Sequence, residues 1–193
     1  MVRLAVEEDV EDILEIYKPY VEETTISFEW ETPAPDVFKS RFQTVTAQFP
    51  WLVYEEEGRI AGYAYPENVF QRKAYQWSVD MAVYIHPGDR KRGIGARLYR
   101  AVEELLKLQG YVNAYALVTQ GNQASIAFHK AVGYTEVARF PHVGFKMGQW
   151  LEVVWLQKTL SECPSVPEIP KGIKEIDPEK VREIMKVYSE YEK

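Results

Sequence analysis

Apolar residues recur along the chain at two spacings, one near 3.6 and one of two, and the switches between them divide it into alternating elements. Val2–Val6 reads as a short strand. Val10, Ile13, Leu14 and Tyr17 then share one face of a helix that starts at Glu7-Glu8-Asp9, where the positive end of the helix dipole favours carboxylates. Pro19 interrupts it, and Val21–Thr25 reads as a second short turn. An extended loop at 26–30, closed by Thr32-Pro33-Ala34-Pro35, leads to a helix from about Asp36 to Thr46 that presents Val37, Phe38, Phe42 and Val45. Trp51–Glu55 and Arg59–Tyr65 are expected to pair as a hairpin around Glu57-Gly58, with Tyr75–Ile85 as the next strand.

His86-Pro87-Gly88-Asp89 breaks that strand. The basic stretch Arg90-Lys91-Arg92-Gly93-Ile94-Gly95 then opens a helix with Leu98, Ala101, Val102, Leu105 and Leu106 at helical spacing, and Gly110 marks its C-cap. Asn113–Val118 reads as a buried strand, and Asn122 as the cap of a helix ending near Gly133. Tyr134–Phe140, Gly144–Met147 and Leu151–Thr159 read as terminal strands. Ser161–Lys174 is proline-studded and polar, and a last helix starts at Asp177-Pro178 with Val181, Ile184, Met185, Tyr188 and Tyr191 along one side. The expected organisation is a mixed α/β domain at 1–160 with one parallel-type crossover, a linker at 161–175 and a C-terminal helix at 176–193.

Composition narrows the partners. The net charge of −6 argues against generic nucleic-acid or anionic-membrane binding, so Arg90–Arg92 is a local positive spot on an acidic protein. A single cysteine, Cys163, permits no intrachain disulfide and no cysteine-rich metal site. With no long apolar run and no signal-type start, the expectation is a cytoplasmic protein without a membrane partner.

A strand, a basic glycine turn and a helix N-terminus together make a seat for pyrophosphate, because free N–H groups point at the anion and glycines let the backbone approach. Two better-known phosphate loops do not fit. The third dinucleotide-fingerprint position is Leu98 rather than Gly, and no Gly-Lys-Ser/Thr follows. What remains, Arg-x-x-Gly-x-Gly between a strand and a helix, resembles the acyl-CoA loop of the GNAT superfamily of N-acetyltransferases.

Five segments extend the likeness over about residues 1–160: TTISFEWETP (24–33), RKAYQWSVDMAVYI (72–85), RKRGIGARLY (90–99), ALVTQGNQASIAFHKAVGY (116–134) and VGFKMGQWLEVVWLQ (143–157). They are similar to the branch that holds the phosphinothricin and methionine sulfoximine/sulfone acetyltransferases. The resemblance implies a GNAT fold, with a central, mostly antiparallel twisted sheet splayed at the acetyl-CoA strand and flanked by helices. It implies acetyl-CoA as cosubstrate, with Val83, Tyr84 and Ile85 offering backbone groups to the pantetheine arm like an added strand. Lys91, Arg92, Gly93, Ile94, Gly95 and Ala96 would bind the pyrophosphate through N–H groups, with Arg90 heading the motif, and Asn122 would contact the CoA arm or act as a helix cap alone.

Acetyl transfer to an amine needs a neutral nitrogen, so a base must take the ammonium proton. The implied base is Asp80, where the family usually has Glu. The shorter side chain points to a relayed water or a repositioned substrate, and pairing with an arginine or backbone is the plainer alternative. His129 stands where many relatives carry a tyrosine, and a near-neutral imidazole there would donate to the departing thiolate or order the site. Phe70, Gln71, Arg72, Met81 and Ala82 are the implied acceptor contacts. Arg72 would hold a carboxylate or serve as a surface charge, and Phe28 and Tyr75, with Trp30, would form aromatic walls. His86 and His142 fit no ligand spacing, and no metal is expected. The expected activity is acetylation of the amine of a small amino acid or analogue, detoxifying in type, by a homodimer. A polyamine, aminoglycoside or protein N-terminus as acceptor, or a non-catalytic acyl-CoA sensor, are the alternatives.

Overall fold

A computed structural model describes residues 1–190. Among these residues, seven strands form one sheet flanked by five α-helices. In chain order they are β1 (Val2–Leu4), α1 (Val10–Glu22), α2 (Pro35–Thr46), β2 (Leu52–Glu56), β3 (Arg59–Asn68), β4 (Ser78–Ile85), α3 (Ile94–Gln109), β5 (Asn113–Thr119), α4 (Gln123–Ala131), β6 (Thr135–Lys146), β7 (Gln149–Thr159) and α5 (Pro178–Glu190). The spatial order is β1-β2-β3-β4-β5-β7-β6. Every neighbouring pair is antiparallel except β4–β5, the crossover that α3 makes.

The helical spacing of α3 translates directly into burial: Leu98, Ala101, Val102, Leu105 and Leu106 are each 0% exposed. Removing any of the leucine side chains would cost about 2–5 kcal/mol in lost transfer energy and cavity. Glu57 and Gly58 both take positive φ, the turn geometry that matches strand twist in a two-residue hairpin.

Four expectations change. Helix α1 runs through Pro19 to Glu22, because Tyr17, Tyr20 and Val21 on the same face are buried and outweigh the one lost N–H. Tyr75 lies in a 3-10 turn, and β4 starts only at Ser78. The expected strands at 134–140 and 144–147 are one strand, β6, with a bulge between Phe140 and Gly144, since both halves pair with β7. The proline-rich segment is tied down: Lys171 N–H donates to Gln109 O at 2.8 Å and Trp77 Nε1 to Glu168 O at 2.7 Å. It leads α5 back onto α3 and β1, where Val2 N–H meets Ser189 Oγ at 2.7 Å. Tyr191, assigned to that face, lies outside the described residues. No helix among the described residues is long and apolar enough to cross a membrane.

Candidate active site

The parallel ladder between β4 and β5 has three rungs, Ser78↔Asn113, Val79↔Ala114 and Asp80↔Tyr115. Beyond Asp80, β4 stays with β3 as far as Ile85, whereas β5 follows β7 as far as Thr119. The strands therefore part, and the gap is a cleft of about 1260 Å³ with Asp80 at its apex. Backbone groups of Met81, Val83 and Ile85 share the opened edge of β4, because successive residues alternate. Tyrosine hydroxyls stand at both ends of that edge: Tyr20 donates to Ile85 O at 2.5 Å, and the Tyr99 oxygen lies 3.2 Å from Met81 O. Val83 lies midway, where an extended amide chain would add as a strand.

At the far end Gly93 caps α3 in the left-handed conformation, φ 81°, and no side chain bonds the first N–H groups of the helix. A Cβ there would strain the turn. Arg90 and Lys91 line the cleft, Arg90 with its guanidinium 5.1 Å from the Tyr20 ring centre. Arg92 does not point there. Its guanidinium binds Asp89 at 2.5 Å and Glu56 at 2.8 Å, and Asp89 also meets Arg59 at 2.8 Å. These pairs brace the turn and hold the Asp89 carboxyl below its ordinary range against the opposing effect of burial. Ile94 is core, and Ala96 packs against it. Asn122 caps α4, its side chain accepting from Ser125 N–H at 3.2 Å, while also lining the cleft. A net positive helix end facing an open strand edge suits a long anion with an amide arm.

At the apex, Asp80 Oδ1 is buried with no hydrogen-bond partner. Burial, then the nearby Glu67 charge, push the Asp80 carboxyl up to about 8, partly opposed by the N–H groups of Met81 and Leu117. Glu67 sits directly opposite Asp80 on β3. Around them the wall continues with Phe28, Glu29, Arg41, Tyr65, Met81, Ala82 and Trp155. Arg41 pairs with Glu29 at 2.6 Å.

His129 also lines the cleft, yet is only 3% exposed. Nδ1 lies 2.8 Å from Ser125 O, and Nε2 lies 2.8 Å from the Tyr99 hydroxyl. A carbonyl only accepts, so Nδ1 carries the proton and Nε2 takes the tyrosine hydrogen. Burial pushes the imidazole down to about 4. The near-neutral titration expected from the sequence is lost because both nitrogens are held in a dry site.

The loop residues Phe70, Gln71, Arg72 and Tyr75 do not reach the cleft wall of this chain. Phe70 packs at a tilt against Tyr75 at 4.6 Å and stacks on Trp155 at 5.8 Å, while Gln71 and Arg72 are exposed. Trp30 is exposed too. Sequence reasoning missed Arg41 and Glu29, in a helix and a loop read for their apolar residues, and Glu67, which lies beyond the expected strand end at Tyr65 because β3 continues to Asn68. It also missed Lys146, 4% exposed, whose Nζ donates to the carbonyls of Val21, Thr24 and Ser27 at 2.6, 2.8 and 2.7 Å. A lone charge in the apolar run Val143–Met147 was the available signal.

Residues 2–155 match the acetyltransferase (GNAT) domain. The chain belongs to the GNAT acetyltransferases. Among curated relatives, the phosphinothricin N-acetyltransferase of Streptomyces viridochromogenes is 30% identical over 91% of this chain and 95% of its own. The L-methionine sulfoximine/L-methionine sulfone acetyltransferase of Pseudomonas aeruginosa is 32% identical over 82% of this chain and 94% of its own. Among solved structures, a GNAT phosphinothricin acetyltransferase from Sinorhizobium meliloti in complex with AcCoA superposes with a TM-score of 0.82 at 29% identity, over 92% of this chain and 95% of that one. As a GNAT member the chain is an acetyl-transferring acyltransferase, and structures of relatives with acetyl-CoA support that cosubstrate.

Proposed function

We propose that the chain acetylates the amine of a small amino acid or analogue, the broad class to which the acceptors named for its relatives belong: phosphinothricin, methionine sulfone and methionine sulfoximine. The observation that carries this is Asp80, a carboxyl with a buried, unpartnered oxygen at the apex where the strands part. An ordinary carboxyl near 4 is too weak a base for an ammonium near 8, whereas one raised to about 8 is matched to it.

When bound, acetyl-CoA supplies an activated acyl group whose carbonyl carbon takes the amine as its thiolate leaves. Residues present suit it: Val83 to pair the amide arm, the N–H groups of Gly93–Ala96 and the charges of Arg90 and Lys91 for the pyrophosphate, and Asn122 beside the arm. Asp80 takes the ammonium proton, directly or through one water, so that the nitrogen lone pair is free to attack. Phe28, Met81 and Ala82 enclose the acceptor, and Arg41, within the cleft, is better placed than Arg72 for its carboxylate. His129 acts by position: bound to Tyr99 and to Ser125, it fixes α4 and hence Asn122. Phe70, Gln71, Arg72 and Tyr75 would meet the acceptor only if the loop folds inward or serves a second subunit.

A homodimer is supported by the apolar strip that β6, its turn and the start of β7 expose, including Val137, Val143, Phe145, Met147 and Trp150. One free, exposed cysteine suits a reducing cytoplasm.

The test is thiol release from acetyl-CoA with a panel of amino acids and simple amines, run with wild type and Asp80→Asn. Turnover that falls at least a hundredfold in the variant supports the reading. Undiminished turnover removes Asp80 from the base role, and bound acetyl-CoA without turnover on any amine assigns the chain to acyl-CoA sensing.

A further inference from the structure

The acceptor end of the cleft is lined by three carboxylates, Glu29, Glu67 and Asp80, against one cation, Arg41. Arg41 is already shared. Its Nη1 lies 2.6 Å from Glu29, and it is also the cation that acts on Glu67. The other cations of the wall, Arg90 and Lys91, lie past Ile85. Five residue steps along the strand lead from Asp80 to Ile85, roughly 16 Å at the usual rise. They serve the opposite end.

In the reaction as derived above Glu67 acts only through its charge on Asp80 and takes no proton itself. It faces Asp80 across the β3–β4 ladder, and cross-strand partners hold their Cβ atoms about 5 Å apart on one face. Glu67 therefore presents a carboxylate beside the apex without an ion pair of its own. One carboxylate of an acceptor can use the free edge of the Arg41 fork. A second anion would find no cation left and Glu67 in its path. Like charges a few ångströms apart in such a cleft repel strongly enough to change affinity about tenfold or more.

Resting on the acetyltransferase reading, we propose that Glu67 makes the acceptor site a charge filter, admitting amino acids with neutral or cationic side chains and rejecting those with a second anion. The preferred acceptors are then of the methionine-sulfone and ornithine kinds, and glutamate and phosphinothricin are poor ones, despite the relatives named for phosphinothricin.

The test compares kcat/KM for methionine sulfone, ornithine, glutamate and phosphinothricin at one pH, in wild type and Glu67→Gln. Each result is expressed as a ratio to methionine sulfone, so that any change in Asp80 as a base cancels. Wild type should disfavour both dianions at least tenfold, and Glu67→Gln should narrow that ratio and weaken the preference for ornithine. Equal turnover of all four by wild type overturns the filter and leaves the acetyltransferase reading standing. Discrimination that Glu67→Gln does not alter overturns the assignment to Glu67. No thiol release from any of the four, with acetyl-CoA bound, overturns the filter together with the reading beneath it.

Discussion

The Tyr99 hydroxyl donates to His129 Nε2 at 2.8 Å, and this bond decides what the histidine can do at neutral pH. With Nδ1–H on Ser125 O, the ring is neutral and has no N–H to offer the cleft. Because burial pushes its pKa to about 4, below an ordinary value near 6.5, the unfolded chain binds the extra proton more readily. Stability from this residue is therefore complete above pH 6.5 and is lost as the pH falls from 6.5 to 4, by about 3 kcal/mol in all. Denaturant midpoints measured across that window should drop in wild type and flatten in His129→Gln. An identical slope in the two proteins would show that the histidine is not buried neutral.

Asp80 should give activity an acid limb with an apparent pKa near 8, the carboxyl being active only when deprotonated. An amino-acid acceptor loses its own proton in the same range, so the limb alone does not identify the enzyme group. Glu67→Gln separates them. Removing the opposing charge lets Asp80 ionise more easily, so the limb should move to lower pH, while the acceptor is unchanged. A limb that stays in place across kcat/KM profiles from pH 6 to 9 belongs to the acceptor.

Lys146 anchors the segment that carries Phe28 and Glu29. Its ammonium satisfies three carbonyls, the Tyr17 hydroxyl holds Ser27 Oγ at 2.6 Å, and Thr119 Oγ1 holds Thr25 O at 2.9 Å. Lys146→Met keeps the stem but leaves buried acceptors unpaired, at a cost of about 3 kcal/mol. The acceptor KM should rise with little change in acetyl-CoA affinity. Calorimetric unfolding and a KM-against-Kd comparison check both parts.

What the sequence disclosed followed from period and spacing. The apolar face of α3, the glycine turn that opens it at Gly93 and the Asn122 cap each depend on residues near in sequence, and each stands where expected. The acceptor end was less legible because its geometry is long-range. Glu67 meets Asp80 only through strand register, and Arg41 meets Glu29 only after the loop at 26–34 folds back. Arg72 drew notice as a basic residue near the acceptor segment, yet its loop leaves it exposed. Helix α1 shows the same limit, since tertiary burial overrode a local proline signal.

Exposed apolar residues on β6 predict self-association. Val143, on the strand that forms the sheet's edge, is 54% exposed, and Trp150, at the start of the neighbouring β7, is 64% exposed. Sedimentation at micromolar concentration should give twice the chain mass, and Trp150→Lys should halve it. A monomeric wild type would require another cover for that edge.

Gly144 and Phe28 make the most local prediction. A Cβ placed on Gly144 would fall 2.3 Å from Phe28 Cε2, a distance no side chain tolerates. Phe28 is 40% exposed and lines the cleft, so its ring, rather than the β6 backbone, is the part free to yield. Gly144→Ala should swing the ring into the acceptor space. The expected outcome is a KM for amino acids raised about tenfold, with acetyl-CoA Kd and thermal unfolding little changed, because the ring moves towards solvent and no core contact is lost. Phe28→Ala in the same background removes the clash and should restore part of the lost affinity. If the double variant is no better than Gly144→Ala alone, the backbone of β6 has moved instead, and Phe28 is not the wall of the acceptor site.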